Sequence, residues 1–383
     1  MIISHITLKN WKNFRKIEVD LKERTFVVGP NASGKSNFLD VFRFLRDIAK
    51  PGGGLQKAIS DRGGVSKLRC LAARKDPEIV ISISLSEYGA EEVLWKYEIG
   101  IKQEQTGHHL PYLSREKVWQ GEKLIIDRPN DNKEDKTDKE RLSQTFLEQI
   151  NANKDFRDVA KYLEKALYLH IIPQLLKYPA AFAGADLPDD PFGKGFLDKL
   201  AKTQKNTREA WLKRIDAALR IAVPQLKELH YAEENGKPHL EAFYDHWRPD
   251  AGKQKEEQFS DGTLRMIALL WALQEGDGLL LLEEPELSLN AAIISKLPAI
   301  IYKIQKQKKR QVIMTSHSAD LLRDKGISLH EVLVLTPDKE GTKVEAAFSI
   351  KEVRAMMDGG MTPGEAILPR TAPRNMDQLL LGI

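Results

Sequence analysis

A lysine and a serine, Lys35 and Ser36, follow a glycine-rich stretch that has the spacing of a phosphate-binding loop. Residues 29–36 read GPNASGKS and match the pattern G-x-x-x-x-G-K-[ST] at every fixed position. Glycines there let backbone N–H groups face phosphate oxygens, and the helix that follows adds its positive N-terminal end. The lysine contacts the β- and γ-phosphates, and the hydroxyl of Ser36 joins the shell of Mg²⁺. The alternative is a chance glycine-rich turn between a strand and a helix.

Two adjacent glutamates, Glu283 and Glu284, end an apolar run that reads GLLLLEEP over residues 278–285. Ligands of α/β sheets bind outside the carboxyl ends of the strands, so this run predicts carboxylates at a ligand-binding edge. One carboxylate can bind Mg²⁺, and the next can polarise an attacking water. The alternative is a buried strand that merely ends in a charged turn.

Two further polar clusters follow apolar strand patterns or open a helix. Residues 315–318 (TSHS) end a strand pattern that should lie near the phosphate loop, which favours a γ-phosphate contact for His317 over a structural role. Residues 259–265 (FSDGTLR) open a helix, and Ser260 is suited to cap its N-terminus. The other interpretation of Ser260 is a second anion site, formed by its hydroxyl and the helix end.

The elements that must position these residues are predicted from the period of the apolar side chains. Three strand patterns fill the first 30 residues, and a helical spacing runs from Ser36 to Ala49. Further strands are predicted at residues 79–85, 93–101, 229–231 and 239–244, with a mostly helical region at 142–226. In the last third, helices at 260–274, 290–305 and 319–323 alternate with strands at 279–282, 312–315 and 331–335. This alternation predicts a parallel α/β sheet.

One segment, residues 127–141 (DRPNDNKEDKTDKER), is dominated by charge. Eleven of its fifteen residues are charged, and none is a large apolar residue. Because such a segment offers no apolar side chain to a core, we predict a mobile loop there.

The order of the motifs resembles the head of ABC-type ATPases. It is similar in particular to the SMC, RecF and OLD-like branch, in which an arm or lid interrupts the head. Within that branch it resembles the AAA-type, ABC-like ATPases of bacterial anti-phage loci, such as those of Septu and of some retrons. The opening LKNWKNFR at residues 8–15 also resembles the L-x-N-F-R start of that group. The resemblance covers about residues 1–40 and 255–340.

This resemblance implies a fold and a division of the chain. The fold would be an α/β P-loop NTPase of the ABC type, with a mixed or antiparallel lobe and a parallel α/β lobe. Residues 1–126 would form the N-terminal lobe with the Walker A loop, and residues 127–226 a mainly helical arm or lid. Residues 227–383 would form the C-terminal lobe with the signature, Walker B and switch histidine.

The resemblance also implies a role for each matching residue, with ATP and Mg²⁺ as cofactors. Glu283 would be the Walker B acid on Mg²⁺, Glu284 the general base and His317 the switch histidine. Ser260 and Gly262 would form the signature motif, and Asn290 would lie in the D-loop. Arg15 would contact the nucleotide, and Gln56 would stand in the Q-loop and reach the metal. The Walker A loop would bind nucleotide through Asn31, Ala32, Ser33, Gly34, Lys35, Ser36 and Asn37.

Three positions depart from the pattern of the family. Asp261 stands where glycine is usual and adds a negative charge near a phosphate site, Glu283 replaces a common aspartate, and Asn290 replaces an acid or histidine. We expect slow turnover from these departures. OLD-like relatives also carry a C-terminal nuclease, and the 66 residues after His317 are too few for one. We therefore expect any nuclease on another chain.

The leading functional hypothesis is an ATPase that dimerises around ATP and controls a separate effector, a nuclease or toxin, in anti-phage defence. The alternative is a RecF- or SMC-like ATPase of DNA repair or chromosome maintenance, which would have DNA as its partner. A transporter cassette is disfavoured because about 220 residues separate Ser36 from the signature. A basic surface for DNA would need the cluster of Lys303, Lys306, Lys308, Lys309 and Arg310, which fits a solvated helix end equally well.

Composition limits the remaining classes. The chain has 383 residues, a formal net charge of +4 and a single cysteine, Cys70, which rules out a disulfide framework and a cysteine-based zinc site. The apolar runs are far shorter than the ~20 residues of a membrane helix, and no basic and apolar leader opens the sequence. We expect a cytoplasmic homodimer with no membrane partner.

Overall fold

The computed structural model describes residues 1–74, 76–104, 109–182, 187, 189–245 and 252–371. The chain forms two compact units. Unit 1 comprises Met1–Ala166, Gly278–Leu281 and the chain from Lys309 onward, and unit 2 comprises Leu167–Asp277 and Leu282–Lys308. Within the described part of the chain, no helix combines the length and apolar composition that crossing a bilayer requires.

The secondary structure alternates short strands with helices of very different lengths. The strands are β1 (Ile2–Trp11), β2 (Phe14–Asp20), β3 (Arg24–Val28), β4 (Ile79–Ser86), β5 (Val93–Gln103), β6 (Pro111–Gln120), β7 (Lys123–Arg128), β8 (Leu167–Leu169), β9 (Leu226–Glu234), β10 (Lys237–Tyr244), β11 (Lys253–Lys255), β12 (Leu280–Glu283), β13 (Val312–Ser316), β14 (Val332–Asp338) and β15 (Gly341–Ala346). The α-helices are α1 (Lys35–Ala49), α2 (Leu55–Ser60), α3 (Val65–Leu68), α4 (Lys133–Thr137), α5 (Arg157–Glu164), α6 (Pro173–Lys177), α7 (Phe196–Lys202), α8 (Lys205–Ala222), α9 (Asp261–Gln274), α10 (Ala291–Ile294), α11 (Leu297–Lys308), α12 (Lys351–Asp358) and α13 (Pro363–Ile367).

Unit 1 contains an antiparallel sheet with the order β2-β1-β4-β5-β6-β7. Its register places Ile6 between Val19 of β2 and Ile83 of β4, and both Ile6 and Ile83 are fully buried. Apolar residues at every second position form the buried face of such a sheet. Burial of this face fixes the register, since a slip by one residue would expose it.

The second sheet of unit 1 positions the phosphate loop, and there the strands run in the order β15-β14-β3-β13-β12. Strand β3 is parallel to both β13 and β14, and all five of its residues are buried. Continuous burial is expected for a parallel strand that is covered on both faces. Helix α1 follows the loop and packs against β13 and α5, with Trp11 of β1 in contact with Phe44 at 5.1 Å between ring centroids.

The charged segment 127–141 is not the mobile loop that we predicted. Arg128 ends β7 and Asp135 lies in α4, and their side chains are 1% and 0% exposed. The guanidinium of Arg128 donates to Asp135 (2.5 Å) and to the buried Glu116 (2.7 Å), and it lies 3.8 Å from the ring centre of Phe146. The prediction was wrong because buried charges are tolerated when they are paired and hydrogen-bonded, which a count of charges does not reveal.

Unit 2 is built around α9 and a three-stranded antiparallel sheet with the order β11-β10-β9. Helix α9 packs against α6, α8 and α11, and twelve of its fourteen residues are buried. A helix that is apolar on all sides belongs in a core. Trp271 of α9 makes edge contacts with Phe196 and Trp211, at 6.0 and 4.9 Å between ring centroids.

Several predicted elements differ from the structure. The sequence analysis missed β6, β7, β8, β11 and β15, and the helix predicted at 290–305 is divided into α10 and α11. Residues 319–323 form only a 3₁₀ turn at Leu321–Arg323. The boundary between the units at residues 166 and 167 lies inside the predicted insertion 127–226. The division into two lobes and an arm stays a prediction.

Candidate functional site

The phosphate loop connects β3 to α1 and depends on glycine at two positions. Gly34 has a φ of 96°, a left-handed conformation that favours glycine. A Cβ atom on Gly34 would lie 2.0 Å from the Asn13 side chain, and one on Gly29 would lie 2.8 Å from the carbonyl oxygen of Leu335. The glycines at both ends of the loop are therefore required by its backbone geometry and its close packing.

The loop has the chemistry that binds a phosphate. Lys35 is 7% exposed, and its Nζ donates to the carbonyl oxygens of Gly29 (3.0 Å) and Pro30 (3.2 Å), so the side chain folds back over the loop. Ser33 is fully buried, and its Oγ has no hydrogen-bond partner among the described residues. The fifteen-residue helix α1 directs its N-terminus at the same loop. A lysine, a buried hydroxyl and a helix N-terminus together fit an anionic ligand.

Asn13, which the sequence analysis did not single out, ties the loop to the rest of unit 1. Its Nδ2 donates to the carbonyl oxygen of Ser33 (2.9 Å) and to Oγ1 of Thr342 (2.8 Å), and its Oδ1 accepts from Asn37 (2.8 Å). The hydroxyl of Thr342 also donates to the Ser33 carbonyl, at 2.9 Å. The sequence feature that could have identified Asn13 was its place in the LKNWKNFR segment at residues 8–15.

A cavity of about 870 Å³ lies beside this loop within unit 1. Its lining is basic and includes Asn13 and Asn37, the two asparagines that bond to each other beside the loop. The lining residues are Lys12, Asn13, Asn37, Arg62, Gly63, Ser66, Lys67, Arg69, Cys70, Leu71, Ala72, Lys339, Glu340 and Gly341. Burial opposes ionisation of the neighbouring Asp40, but Arg62 and Lys12 outweigh it and hold the pKa of Asp40 below its usual value. The ionised Asp40 therefore compensates part of the positive charge. The volume is in the range of small-ligand sites.

Two residues that we predicted near the ligand have other contacts in unit 1. Arg15 is half-exposed and pairs with Glu340, which lines the cavity and also pairs with Arg74 at 2.9 Å. Gln56 lies in α2, where its Nε2 donates to the carbonyl oxygens of Pro111 (2.9 Å) and Ser143 (2.8 Å). These two bonds connect Gln56 to β6 and to the 3₁₀ turn that ends at Ser143.

His317 leaves the sheet at the same edge as the phosphate loop. Strands β3 and β13 are parallel, with Val28 paired to Ser316, so Gly29 and His317 are the next residues of neighbouring strands. His317 is exposed, whereas all of β13 is buried. The register therefore accounts for the position that the sequence pattern predicted for this histidine.

In unit 2, the two glutamates lie at the end of a buried strand. Glu283 is the last residue of β12, and Glu284 adopts a left-handed backbone conformation with a φ of 44°. Such conformations are strained for residues other than glycine, and they concentrate at functional sites. The hydroxyl of Tyr168 donates to Oε2 of Glu283, and Nδ1 of His170 lies 3.3 Å from the Glu283 carbonyl oxygen. The sequence analysis missed Tyr168, because β8 is a strand of only three residues.

The signature segment caps α9, also in unit 2. Oγ of Ser260 accepts from the backbone N–H of Thr263 (3.1 Å), as a helix cap does. A Cβ atom on Gly262 would lie 2.5 Å from the carbonyl oxygen of Ser288, so the first turn of α9 touches the backbone after Glu284. Asn290 caps α10 by accepting from the N–H of Ala292 at 2.9 Å.

Two side chains of α6 bind the carboxylate of Asp261, and one of them, Lys177, balances its charge. Lys177 donates to one of its carboxylate oxygens (2.8 Å) and Gln174 to the other (2.7 Å). The sequence analysis expected an added negative charge there and could not identify these partners, which are more than eighty residues away.

One of the five residues of the candidate basic cluster at residues 303–310 is buried. Arg310 is 2% exposed, and its Nε donates to the carbonyl oxygen of Gly278 at 2.6 Å. It therefore contributes no charge to a DNA-binding surface. Lys303 and Lys306 are exposed on α11, with Lys306 placed over the ring of Tyr302.

The sequence matches one family model and is similar to two curated proteins. Residues 24–324 match the family model described as "AAA domain, putative AbiEii toxin, Type IV TA system". Endonuclease GajA of Bacillus cereus (strain VD045) is 34% identical over 92 residues, which are 24% of this chain and 14% of that protein. Chromosome partition protein Smc of Methanocaldococcus jannaschii is 48% identical over 44 residues, which are 11% of this chain and 4% of that protein. This chain thus spans only a small part of the length of either curated relative.

A solved structure covers almost the whole chain. The crystal structure of an Smc head bound to the C-winged helix domain of ScpA superimposes with a TM-score of 0.54 at 16% identity, over 90% of this chain and 97% of that one. At this identity the likeness concerns the fold alone. It confirms the predicted fold class, an ABC-type P-loop NTPase head.

Proposed function

Since the chain belongs to this AAA-domain family, we propose that it binds and hydrolyses ATP and that the ATP-bound state controls a partner effector. The family and the fold, which is that of an Smc head, both support this proposal. The observation that carries the proposal is the phosphate loop, whose glycines, buried lysine and helix N-terminus all suit a nucleoside polyphosphate. Residues Asn31 to Asn37 would contact the phosphates, with Lys35 as their cation.

The residues around the phosphates would divide the chemistry as follows. Ser36 and Glu283 would hold Mg²⁺, which neutralises phosphate charge when bound. The carboxylate of Glu284 would accept a proton from the attacking water, and His317 would contact the terminal phosphate. Gln56 would reach the metal through its Oε1, because its bonds to Pro111 and Ser143 use only its Nε2.

The basic cavity beside the loop would hold the nucleoside. Its walls offer the amides of Asn13 and Asn37, which already position the loop, and the cations of Lys12 and Lys339. Its position next to α1 and its volume of about 870 Å³ support this assignment. Arg15 would join the nucleotide by leaving Glu340.

ATP would also join two copies of the chain. The hydroxyl of Ser260 and the N-terminus of α9 would meet the γ-phosphate held by a second copy, with Gly262 allowing close approach. The dimer would loosen after hydrolysis, since ADP lacks that phosphate. A partner protein could then distinguish two states of the chain.

The effector that we propose is a nuclease or toxin on a separate chain, in anti-phage defence. This step is supported by the motif resemblance and by the similarity to a protein that is named an endonuclease. The second candidate is a chromosome or repair ATPase that acts on DNA, favoured by the similarity to a chromosome partition protein. A salt-titrated DNA-binding assay separates the two, because phosphate contacts give a steep dependence on salt.

The decisive experiment for ATP binding is the Lys35→Ala variant, measured by isothermal titration with ATP and Mg²⁺. We expect binding to be lost, because the loop loses its cation. The control is Lys57→Ala, which removes an exposed lysine of α2 that pairs only loosely with Asp61 at 3.9 Å. ATP affinity within a few-fold of the parent in Lys35→Ala would rule out the loop as the phosphate site.

A further inference from the structure

The N-terminus of α9 carries a carboxylate that is held by a second helix. Asp261 is the first residue of α9 and is 35% exposed, while Lys177 at the end of α6 is only 14% exposed. Nζ of Lys177 donates to Oδ1 of Asp261 at 2.8 Å, and Nε2 of Gln174 donates to Oδ2 at 2.7 Å. Both partners of Asp261 thus lie on the short helix α6, Pro173–Lys177.

Three acids (Asp261, Glu284 and Glu286) and two bases (Lys177 and Arg265) lie near this helix end. An aspartate at a helix N-terminus stabilises the helix, but it repels a phosphate that approaches the same end. Arg265, one turn further along α9, is 6% exposed, and its Nε has no hydrogen-bond partner in the part of the chain that the structure describes. Burial lowers the pKa of Arg265 despite Asp261, Glu286 and Glu284, all of which favour its charged form. Lys177 is therefore the side chain that directly cancels Asp261.

We propose that Lys177, assisted by Gln174, neutralises Asp261 so that the N-terminus of α9 can accept the terminal phosphate of a nucleotide bound to a second copy. This inference rests on the proposed ATP-dependent dimer. Lys177 would be a positioning residue that acts through Asp261 and sets the strength of self-association.

The test measures dimerisation of the full-length chain by sedimentation, with Mg²⁺ and the non-hydrolysable β,γ-imido analogue of ATP. Lys177→Gln leaves Asp261 uncompensated, and we expect it to weaken dimerisation about three- to thirty-fold, as one screened unit charge facing a multiply charged phosphate would. Asp261→Asn leaves the lysine positive and should strengthen dimerisation. The double variant should return to within about three-fold of the parent.

Two matched variants separate this effect from general damage. Lys177→Arg keeps the charge and should behave like the parent. Lys199→Gln breaks the ion pair with Glu275 (2.7 Å) at the other end of α9 and should leave dimerisation unchanged. Melting temperatures without nucleotide report any loss of folding in each variant.

The directions in which Lys177→Gln and Asp261→Asn change dimerisation decide whether the proposal holds. Opposite effects that cancel in the double variant, and that shrink as salt is raised, support the neutralising pair. Changes in the same direction, or none, overturn it, because a purely structural ion pair would weaken in both variants. If the parent itself does not dimerise with the analogue, the proposed ATP-dependent dimer fails, and this inference fails with it.

Discussion

The hydroxyl of Tyr168 offers a direct test of the role proposed for Glu283. Tyr168 is 6% exposed and donates to Oε2 of Glu283 from the short strand β8. A hydrogen bond to a charged group contributes about 1.5–3 kcal/mol, and 1.4 kcal/mol corresponds to a factor of ten. Loss of the side chain that hydrogen-bonds to a metal-binding residue lowers the metal affinity about 10–100-fold. Tyr168→Phe should therefore raise the Mg²⁺ concentration for half-maximal ATP binding by about ten-fold or more.

The assay is a Mg²⁺ titration of ATP binding, followed by the fluorescence of a labelled nucleotide. The control is Tyr162→Phe, which also removes a buried tyrosine hydroxyl, in this case one that donates to Gln311 at 3.1 Å. The control should lose stability without any shift in the Mg²⁺ midpoint. A midpoint within two-fold of the parent in Tyr168→Phe would refute the reasoning, because Glu283 would then need no support from Tyr168 to bind the metal.

Three further changes have definite expected outcomes. Glu284→Gln should keep ATP binding and reduce hydrolysis about 10²–10⁴-fold, as measured by phosphate release, since an amide cannot accept the proton; normal turnover would exclude Glu284 as the base. Gly262→Ala should reduce ATP-dependent dimerisation, because its Cβ would lie 2.5 Å from a backbone oxygen, whereas Gly195→Ala meets only an ordinary contact at 3.5 Å and should not. Arg128→Met should lower the unfolding free energy of unit 1 by about 3–5 kcal/mol in denaturant titrations, since two buried carboxylates lose their partner, while Arg141→Ala, at a 37% exposed side chain, should cost far less.

The parts of the fold that follow local rules were predictable from the sequence. The strand before the phosphate loop, helix α1 and helix α9 all have long or continuous apolar patterns, and the structure places them within one residue of the expected start. The relation of His317 to the loop was also predictable, because parallel neighbours end at one edge of a sheet. In each case the signal lies within a few neighbouring residues.

The contacts that were missed join residues far apart in the chain. Asn13 reaches Thr342 across more than three hundred residues, and Lys177 reaches Asp261 across 84. No periodicity reports such pairs, since each partner reads as an ordinary polar residue at the surface. The buried Arg128 illustrates the same limit, because its burial depends on partners that composition alone does not identify.

The contact between Gly262 and the Ser288 carbonyl makes the start of α9 and the segment after Glu284 mechanically stiff. Backbone meets backbone there, so no side chain can rotate away to absorb a displacement. A shift of even a fraction of an ångström at the helix end must therefore be passed to the chain that leads back to Glu284, whose left-handed conformation is already strained. Within unit 2, a displacement of Ser260 would therefore reorient the proposed base, and the arrival of the second copy in the proposed dimer would set the time of hydrolysis.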